Sequence, residues 1–309
     1  MELQTATIGM VRASVCQRLL DYLELVKVRL VAMILVVTMV GFYMGLPGVP
    51  NWWRLLHLLL GVALAGAGAL ALNAYMERDL DALMTRTQTR PVPEGRIQPS
   101  AALRFGIITT LCGLLYLLVV VEPWSAVLTG AIVGSYLFGY TPLKMKTSLC
   151  SLVGAVSGAL PPVVGWVAAR GTFGTEAWVL FAMLFLWQIP HSLAIARLYR
   201  DDFARAGFRI LPVIDLEGSS TGRQVVTYCL ALLVVGLLPT LIGLAGPLYF
   251  LAALVLGLVF LGFGIDLARS YTVAAARRLL FASLVYLPLT FLLMAPDKVP
   301  PVWHQVPPL

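Results

Sequence analysis

The chain has 309 residues, of which 60% are hydrophobic and 12% are charged, and its formal net charge is +7. Soluble domains carry about 25% charged residues, and a chain of this length cannot form a core large enough to bury so many apolar side chains. A soluble globular protein is therefore excluded, and we expect a polytopic membrane protein. Because membrane proteins concentrate Lys and Arg in cytoplasmic loops, the positive charge does not indicate a nucleic-acid partner.

Long apolar stretches predict the membrane-spanning helices, because a helix needs about 20 apolar residues to cross a bilayer. The stretch 224–265 is 42 residues long and has Gly246-Pro247 near its middle, which favours two spans joined by a tight turn. We therefore predict an all-α fold with nine transmembrane helices. The charge-free stretches are 30–53, 55–76, 105–121, 123–143, 147–169, 177–196, 224–265 and 279–296.

The basic residues predict the orientation of these spans. With nine spans and a cytoplasmic N-terminus, 19 of the 22 Lys and Arg residues lie in cytoplasmic segments, and Arg54, Arg170 and Lys298 do not. One missed span would move every later loop to the other side, so the asymmetry favours this topology. The chain is then one domain, 1–309. Its segments outside the spans include an N-terminal cytoplasmic tail (1–25), a first charged loop (77–99), a second charged loop (197–222) and a C-terminal tail (297–309).

Small residues and prolines modify the predicted spans. Gly61, Ala65 and Ala69 recur every four residues in the second span, a spacing that is typical of closely packed helices. Pro161-Pro162 and Pro190 are expected to interrupt the fifth and sixth spans. Interrupted helices are tolerated in a membrane where they line a cavity, although a simple kink explains the prolines equally well.

A polar stripe begins inside the second apolar stretch. Asn73, Glu77 and Asp81 are four residues apart, so on a helix they share one face. A solvated helix end is the simpler interpretation. However, polar groups inside an apolar span are energetically costly, so they usually mark a functional site. Mg²⁺ commonly binds one or two carboxylates together with water and substrate phosphate oxygens. The stripe therefore predicts a Mg²⁺ site formed by these three residues.

Two arginines follow the stripe. Arg86 and Arg90 are also four residues apart, and a guanidinium binds phosphate through two hydrogen bonds and does not titrate near neutral pH. The cytoplasmic excess of basic residues would by itself place arginines here. Beside a metal site they predict that a diphosphate is held between the carboxylates and the guanidinium groups.

Several segments resemble the UbiA family of intramembrane prenyltransferases. Residues 73–81 (NAYMERDLD) and 86–91 (RTQTRP) resemble the first signature of that family. Three later parts resemble its heme O synthase branch more narrowly, and the resemblance extends from about residue 20 to residue 295. These parts are 140–148 (YTPLKMKTS), 154–166 (GAVSGALPPVVGW), and 185–196 (FLWQIPHSLAIA) continuing to 202–213 (DFARAGFRILPV).

The resemblance implies a bundle of nine helices with a central cavity, and it implies site residues by motif. Asn73, Glu77 and Asp81 would hold Mg²⁺, and Asp202 matches the acidic residue of the second signature. His191 matches a branch-specific histidine and would contact heme; a buried histidine bonded to a carbonyl is the simpler interpretation, although imidazole is a frequent iron ligand. The groups implied around the diphosphate are Arg86, Arg90, Lys144, Lys146 and Arg200.

The sequence also departs from the family pattern. Ala74 stands where the family often has Asp or Asn. Glu77 stands where Asp is usual, and Glu has a longer side chain between the backbone and the carboxylate. The second signature usually contains two acidic residues four apart, but Asp202 is followed four residues later by Ala206. A complete second carboxylate pair is therefore absent from this sequence.

The function implied by the resemblance is farnesyl transfer from farnesyl diphosphate to heme B, which yields heme O. Mg²⁺ would be the cofactor and heme B a substrate, and the enzyme would lie in the inner membrane of a bacterial cell with its active-site loops in the cytoplasm. Candidate protein partners are a heme A synthase or assembly factors of a terminal oxidase. Two alternatives are prenyl transfer to an aromatic quinone precursor and a transporter whose polar residues line an ion path. The clustering of charges at span ends argues against the transporter.

Overall fold

The structure, a computed structural model, describes residues 15–299 and contains nine helices in that range that are long and apolar enough to cross a membrane. The predicted all-α fold with nine spans is confirmed, including the division of 224–265 into two helices. We label the nine helices α1 (Val28–Gly45), α2 (Trp52–Met76), α3 (Pro99–Val121), α4 (Pro123–Leu143), α5 (Cys150–Arg170), α6 (Thr175–Leu198), α7 (Ser219–Leu241), α8 (Pro247–Ser270) and α9 (Val273–Met294).

Several helices extend beyond the charge-free stretches that predicted them. α3 begins at Pro99 rather than at residue 105, and α7 begins at Ser219 rather than at residue 224. Because long basic side chains at a helix end can place their charge in the aqueous boundary, charged residues limit the apolar stretch but do not end the helix. α3 and α4 also contain π-helical turns at Leu117–Val121 and Ser135–Tyr140.

Proline has different effects in α5 and α6. α5 consists of two helices, Cys150–Ala159 and Pro161–Arg170, which are separated at Leu160. α6, by contrast, continues through Pro190, so the predicted interruption of the sixth span is wrong. Packing of α6 against α5, α7 and α9 offsets the one backbone hydrogen bond that proline removes.

Glycines allow the helix axes to approach closely at two crossings. α1 packs against the second half of α5, where Gly41 faces the backbone of Pro162 and Gly165 faces the backbone of Thr38. α2 packs against α3 in the same way, with Gly113 against the backbone of Ala65. The close packing predicted from the small residues of the second span is confirmed.

The loops gather at the two ends of the bundle. The second charged loop contacts the first, because the Asp202 carboxylate accepts hydrogen bonds from the backbone of the first loop. The Arg197 guanidinium at the end of α6 donates to the Tyr271 carbonyl in the α8–α9 turn (3.0 and 3.2 Å). We call the end of the bundle that carries the two charged loops and the α8–α9 turn the charged end. At the opposite end, the Lys298 ammonium donates to the carbonyls of Tyr43 and Leu46 (2.7 and 2.9 Å), which ties the chain after α9 to the end of α1.

We expect Gly165→Ala to destabilise the protein by about 1–3 kcal/mol, because the added methyl group would overlap the backbone of α1. The matched control is Gly66→Ala in α2, where a Cβ meets no atom within 4 Å and where Ala stabilises a helix by up to about 1 kcal/mol relative to Gly. Thermal unfolding of the purified variants in detergent measures the difference. Equal midpoints for the two variants would contradict the importance of the α1–α5 crossing.

Candidate active site

The polar stripe at the end of α2 forms one continuous helical face. Asn73 lies in the last turn of α2, Glu77 follows that helix directly, and Asp81 ends a short helix, Arg78–Asp81. The Glu77 N–H donates to the Asn73 carbonyl (2.9 Å), and the Asp81 N–H donates to the Glu77 carbonyl (2.7 Å). The side chains of all three residues are buried. The predicted alignment on one face is therefore confirmed, and the stripe is not a solvated helix end.

Each oxygen-bearing side chain of the stripe contacts a cation. The Lys144 ammonium lies 2.6 Å from Glu77 Oε1, and Arg90 Nη1 lies 2.8 Å from Asp81 Oδ2. The Lys27 ammonium donates to Asn73 Oδ1 at 3.0 Å. The three cations come from the residue before α1, the first charged loop and the residue after α4. We call these six residues the charged cluster; it holds three positive and two negative groups.

Lys27 is a site residue that the sequence analysis missed. It precedes α1 with φ 50° and ψ 57°, a left-handed conformation that is uncommon for a residue other than glycine. Burial, followed by repulsion from Arg90, lowers the pKa of Lys27 to about 8. The sequence contains no specific signal for this role, because a lysine before the first span is also what the cytoplasmic excess of basic residues produces.

The helical segment 15–25 positions Lys27. Arg96 of the first charged loop forms an ion pair with the buried Asp21, and it contacts Glu24 at 2.9 Å. Leu25 packs with Val92 and Ile97 of the same loop. Because these contacts hold segment 15–25 against the first charged loop, they place the start of α1 beside the end of α2.

Aromatic rings surround Lys144. Its ammonium lies 4.4 Å from the centre of the Tyr140 ring and 5.6 Å from that of Phe208, within the range of cation–π contacts. Burial opposes the charge of this ammonium, yet interaction with Tyr140 and Glu77 raises the pKa of Lys144 overall. Thr141 at the end of α4 accepts a hydrogen bond from the Asn73 amide (3.2 Å). Lys144 therefore remains charged at neutral pH and is held firmly against α2.

Arg86 contacts the second charged loop rather than the carboxylates of the stripe. Its guanidinium lies over the rings of Tyr199 and Phe203, at 5.0 and 5.8 Å from their centres. Burial, followed by repulsion from Arg90, lowers the pKa of Arg86, but a guanidinium stays charged at neutral pH. Of the two arginines predicted to bind diphosphate, Arg90 belongs to the charged cluster and Arg86 lies beside it.

Asp202 joins the two charged loops. Its carboxylate oxygens accept hydrogen bonds from the backbone N–H groups of Thr85 and Arg86 (3.3 and 3.4 Å), and it forms an ion pair with Arg205. Within residues 15–299 there is no group of three His, Cys, Asp or Glu side chains that could hold a metal ion, so Asp202 does not complete such a group with Glu77 and Asp81. Its contacts are those of a residue that positions the first loop.

The remaining predicted phosphate contacts are Arg200 and Lys146. Arg200 begins a short helix, Arg200–Arg205, and is half-buried, whereas Lys146 is exposed. Among the hydrogen bonds and ion pairs of the described residues, none connects either side chain to the charged cluster. Their contact with a diphosphate stays a prediction.

His191 lies inside the bundle, away from the charged cluster. It is seven residues before the end of α6, or about 10 Å along the helix axis. Its ring stacks on that of Trp187 with centres 4.7 Å apart, and its Nδ1 lies 2.7 Å from Ser283 Oγ of α9. The single hydrogen of Ser283 is donated to the Leu280 carbonyl (2.6 Å), so Ser283 accepts from Nδ1–H. This assigns the tautomer in which Nε2 keeps a free electron pair, the form that ligates a metal.

The chemistry of the stripe fits Mg²⁺. Carboxylate and amide oxygens are hard ligands of the kind that Mg²⁺ selects, and two protein carboxylates are enough when a substrate supplies phosphate oxygens. Each ion pair uses one oxygen of its carboxylate, Oε1 of Glu77 and Oδ2 of Asp81. The second oxygen of each carboxylate therefore remains for a cation.

Comparison with known proteins gives matches over most of the chain. The sequence profile of the UbiA prenyltransferase family matches residues 34–285. A protoheme IX farnesyltransferase from Solibacter usitatus is 45% identical over 287 residues, which cover 90% of this chain and 98% of that protein. The protein of the same name from Koribacter versatilis is 41% identical over 304 residues and covers 95% and 98% of the two chains.

Solved structures share the fold at much lower sequence identity. A digeranylgeranylglyceryl phosphate synthase structure superposes with a TM-score of 0.77 at 15% identity, covering 91% of this chain and 98% of that one. A UbiA homolog from Archaeoglobus fulgidus bound to DMAPP and Mg²⁺ has a TM-score of 0.63 at 15% identity, covering 89% and 99%. The nine-helix bundle thus has the UbiA fold. The chain belongs to the UbiA prenyltransferase family and, within it, groups with the protoheme IX farnesyltransferases.

Proposed function

We propose that this protein transfers the farnesyl group of farnesyl diphosphate to heme B. One farnesyl diphosphate, one heme B and one water molecule would yield heme O and inorganic diphosphate, with the farnesyl carbon bonded to a former vinyl group and the hydroxyl derived from water. The observation that carries the proposal is the buried charged cluster at one end of an apolar bundle. The relatives named protoheme IX farnesyltransferase, at up to 45% identity, support heme B as the acceptor.

The cations of the charged cluster are the groups proposed to bind the diphosphate. Lys27, Lys144 and Arg90 face the same short stretch of helix, and each is now partly neutralised by an oxygen of the stripe. A diphosphate brings several negative charges, so it would compete with Glu77 and Asp81 for these cations. Because the stripe is buried and its cations are only partly exposed, each charge interaction is stronger there than in water. Arg86, beside the cluster, and Arg200, in the second charged loop, would complete the binding of the phosphates.

The stripe is proposed to hold the metal. Asn73, Glu77 and Asp81 would bind Mg²⁺ through oxygen atoms, and the metal would supply positive charge to offset the negative charge of the departing diphosphate. The Archaeoglobus fulgidus homolog bound to DMAPP and Mg²⁺ supports the same use of the fold. Asp202 is proposed to act by positioning the first charged loop, which contains Arg86 and Arg90.

The apolar surroundings would protect the allylic electrophile that remains when diphosphate leaves. Tyr140 and Phe208 lie over Lys144, and Tyr136 stacks on Tyr140 with ring centres 5.8 Å apart. These rings would restrict the access of water to the reacting carbon. Without them, water would react with that carbon before the acceptor does.

His191 is proposed to bind the heme iron. Its free Nε2, assigned by the hydrogen bond from Nδ1 to Ser283, is a suitable axial ligand for iron. His191 lies about 10 Å along α6 from the charged end, so the heme would bind deeper in the bundle than the diphosphate. Ser283 would position the ring, and Trp187 would support its plane.

We also propose that the charged end faces the cytoplasm of a bacterial cell and that the chain lies in the inner membrane. The positive-inside rule supports this orientation, because 19 of 22 basic residues then lie on the cytoplasmic side. Assembly with a heme A synthase or with factors that build a terminal oxidase would follow from the use of heme O. Residues 300–309, most of the predicted C-terminal tail, lie outside the described residues.

Heme extraction tests the reaction. In a bacterial host that lacks its own heme O synthesis, we expect the wild-type protein to yield heme O, identified by mass spectrometry, and Asp81→Asn to lower the yield at least about 100-fold, a loss near 2.7 kcal/mol. The control is Asp79→Asn, because the Asp79 carboxylate is 82% exposed and outside the cluster; it should keep full activity. A prenylated quinone precursor without heme O, or equal loss in both variants at equal protein levels, would contradict the proposal.

The pKa of Lys27 predicts the effect of pH on substrate capture. Above about pH 8 the Lys27 ammonium loses its proton and its attraction for diphosphate, so kcat/KM for farnesyl diphosphate should fall as pH rises through that value. Lys27→Arg should move the fall to higher pH, because a guanidinium does not titrate in this range. Steady-state rates between pH 6.5 and 9.5 measure the shift. The same alkaline limb in both proteins would show that Lys27 does not bind the diphosphate.

Heme titration tests the role of His191. We expect His191→Ala to abolish the change in the Soret band that accompanies axial ligation of heme B, and Ser283→Ala to weaken heme binding about fivefold, the effect of losing about 1 kcal/mol from one hydrogen bond. Neither variant should change the KM for farnesyl diphosphate. The control is Ser192→Ala, since Ser192 Oγ bonds to the carbonyl of its own helix at Ile189. An unaltered Soret spectrum in His191→Ala would rule out ligation.

A further inference from the structure

The surface between α8 and α9 contains a groove that the proposed reaction does not use. One part of it is a cavity of about 410 Å³ with an almost entirely apolar lining, which includes Leu256 and Val259 of α8 and Phe281 and Val285 of α9. Val259, Phe281 and Val285 are each more than half exposed. Because both helices are membrane spans, side chains exposed on this surface face lipid, and the groove opens into the bilayer.

The groove ends at a cationic rim. A second cavity, of about 490 Å³, shares Val259, Phe263 and Arg278 with the first and adds Gly262 and Asp266. Arg278 Nε and Nη2 both contact Asp266 Oδ2, at 3.0 and 2.6 Å, so its Nη1 is left to bind another group. Arg269, in the last turn of α8, and Arg277, next to Arg278 on α9, are both exposed. The segment 266–278, which forms and adjoins this rim, thus holds three guanidinium groups and one carboxylate, a net charge of +2.

The length of the groove matches one leaflet of a bilayer. Leu256 and Asp266 are ten residues apart on α8, which is about 15 Å along the helix. The hydrocarbon core of a bilayer is about 30 Å thick, so the groove spans about half of it. The rim lies at the charged end of the bundle, where the α8–α9 turn contacts α6 through Arg197. An acyl chain lying in the groove would thus bring a lipid headgroup to the level of Arg278.

We propose that the α8–α9 groove binds an anionic phospholipid, with one acyl chain along the apolar lining and the headgroup phosphate at Arg278. A basic site between membrane helices, at the level of the headgroups, is the arrangement that recognises anionic lipids. The net positive rim selects against a zwitterionic lipid, whose headgroup has no net charge. The lipid would bind in the leaflet at the charged end.

Native mass spectrometry of the full-length protein tests the site. The purified protein is incubated with equal amounts of a phosphatidylglycerol and a phosphatidylcholine that carry the same acyl chains. We expect wild-type protein to retain one phosphatidylglycerol at least tenfold more than phosphatidylcholine, and Arg278→Gln to lose that preference. The control Arg104→Gln changes an exposed arginine of α3, whose guanidinium bonds only within its own helix to the Ser100 carbonyl; it should behave as wild type.

Two further variants separate lipid binding from a general loss of structure. Gly262→Leu should reduce retention of phosphatidylglycerol at least fivefold, because a Cβ at Gly262 meets no atom within 4 Å and the side chain can fill the groove. Asp266→Asn should retain as much phosphatidylglycerol as wild type or more, because it frees Arg278 from its ion pair. All variants should keep the thermal midpoint of the wild type within a few degrees.

The opposite results would overturn the proposal. Equal retention of the two lipids by wild-type protein, the same loss in Arg104→Gln as in Arg278→Gln, or a loss in Asp266→Asn would each show that Arg278 does not select the headgroup. A dimer that disappears in Gly262→Leu would assign the groove to a second copy of the chain. Displacement of phosphatidylglycerol by farnesyl diphosphate would assign it to the prenyl substrate.

Discussion

A charge buried in an apolar bundle needs a partner, because transferring an isolated ion out of water costs several kcal/mol. Glu77 and Asp81 lie buried where α2 ends, so the chain must bring cations to them. Lys144 comes from the end of α4 and Arg90 from the first charged loop, while Lys27, before α1, contacts Asn73 beside them. The pairing therefore joins three separate parts of the chain at the charged end. The need to pair the buried carboxylates thus explains why the first charged loop and the ends of α1 and α4 meet beside α2.

The same pairing prepares the site for a charged substrate. A buried ion pair contributes little net stability, because attraction mostly offsets desolvation, so the stability of the fold does not explain the charged cluster, whereas the proposed binding of diphosphate does. Each cation already lies close to an oxygen atom of the stripe, and a diphosphate oxygen is a chemically similar partner. The left-handed backbone at Lys27 is consistent with this view, since strained conformations of about 1–3 kcal/mol persist mainly at functional sites.

The two ends of the proposed reaction are held by different parts of the bundle. The proposed diphosphate site is formed by the ends of α1, α2 and α4 and by the first charged loop, which Asp202 attaches to the second loop. The proposed heme site lies on α6 and α9, where His191 meets Ser283. The helix α5 lies between these parts and packs against both α1 and α6. Close packing of glycine on backbone at the α1–α5 crossing holds α5 against α1.

The sequence alone determined the number of spans, the charged loops and the stripe of Asn73, Glu77 and Asp81. These features depend on local composition and on the helical repeat, which are visible along the chain. Only the tertiary structure showed that Lys27 contacts Asn73, that Asp202 joins the loops, that Pro190 leaves α6 continuous, and that Ser283 sets the tautomer of His191. These contacts join residues 46 to 117 positions apart, or depend on neighbouring helices. Sequence periodicity specifies which face of a helix is polar. Helix packing decides which residues of other helices contact that polar face.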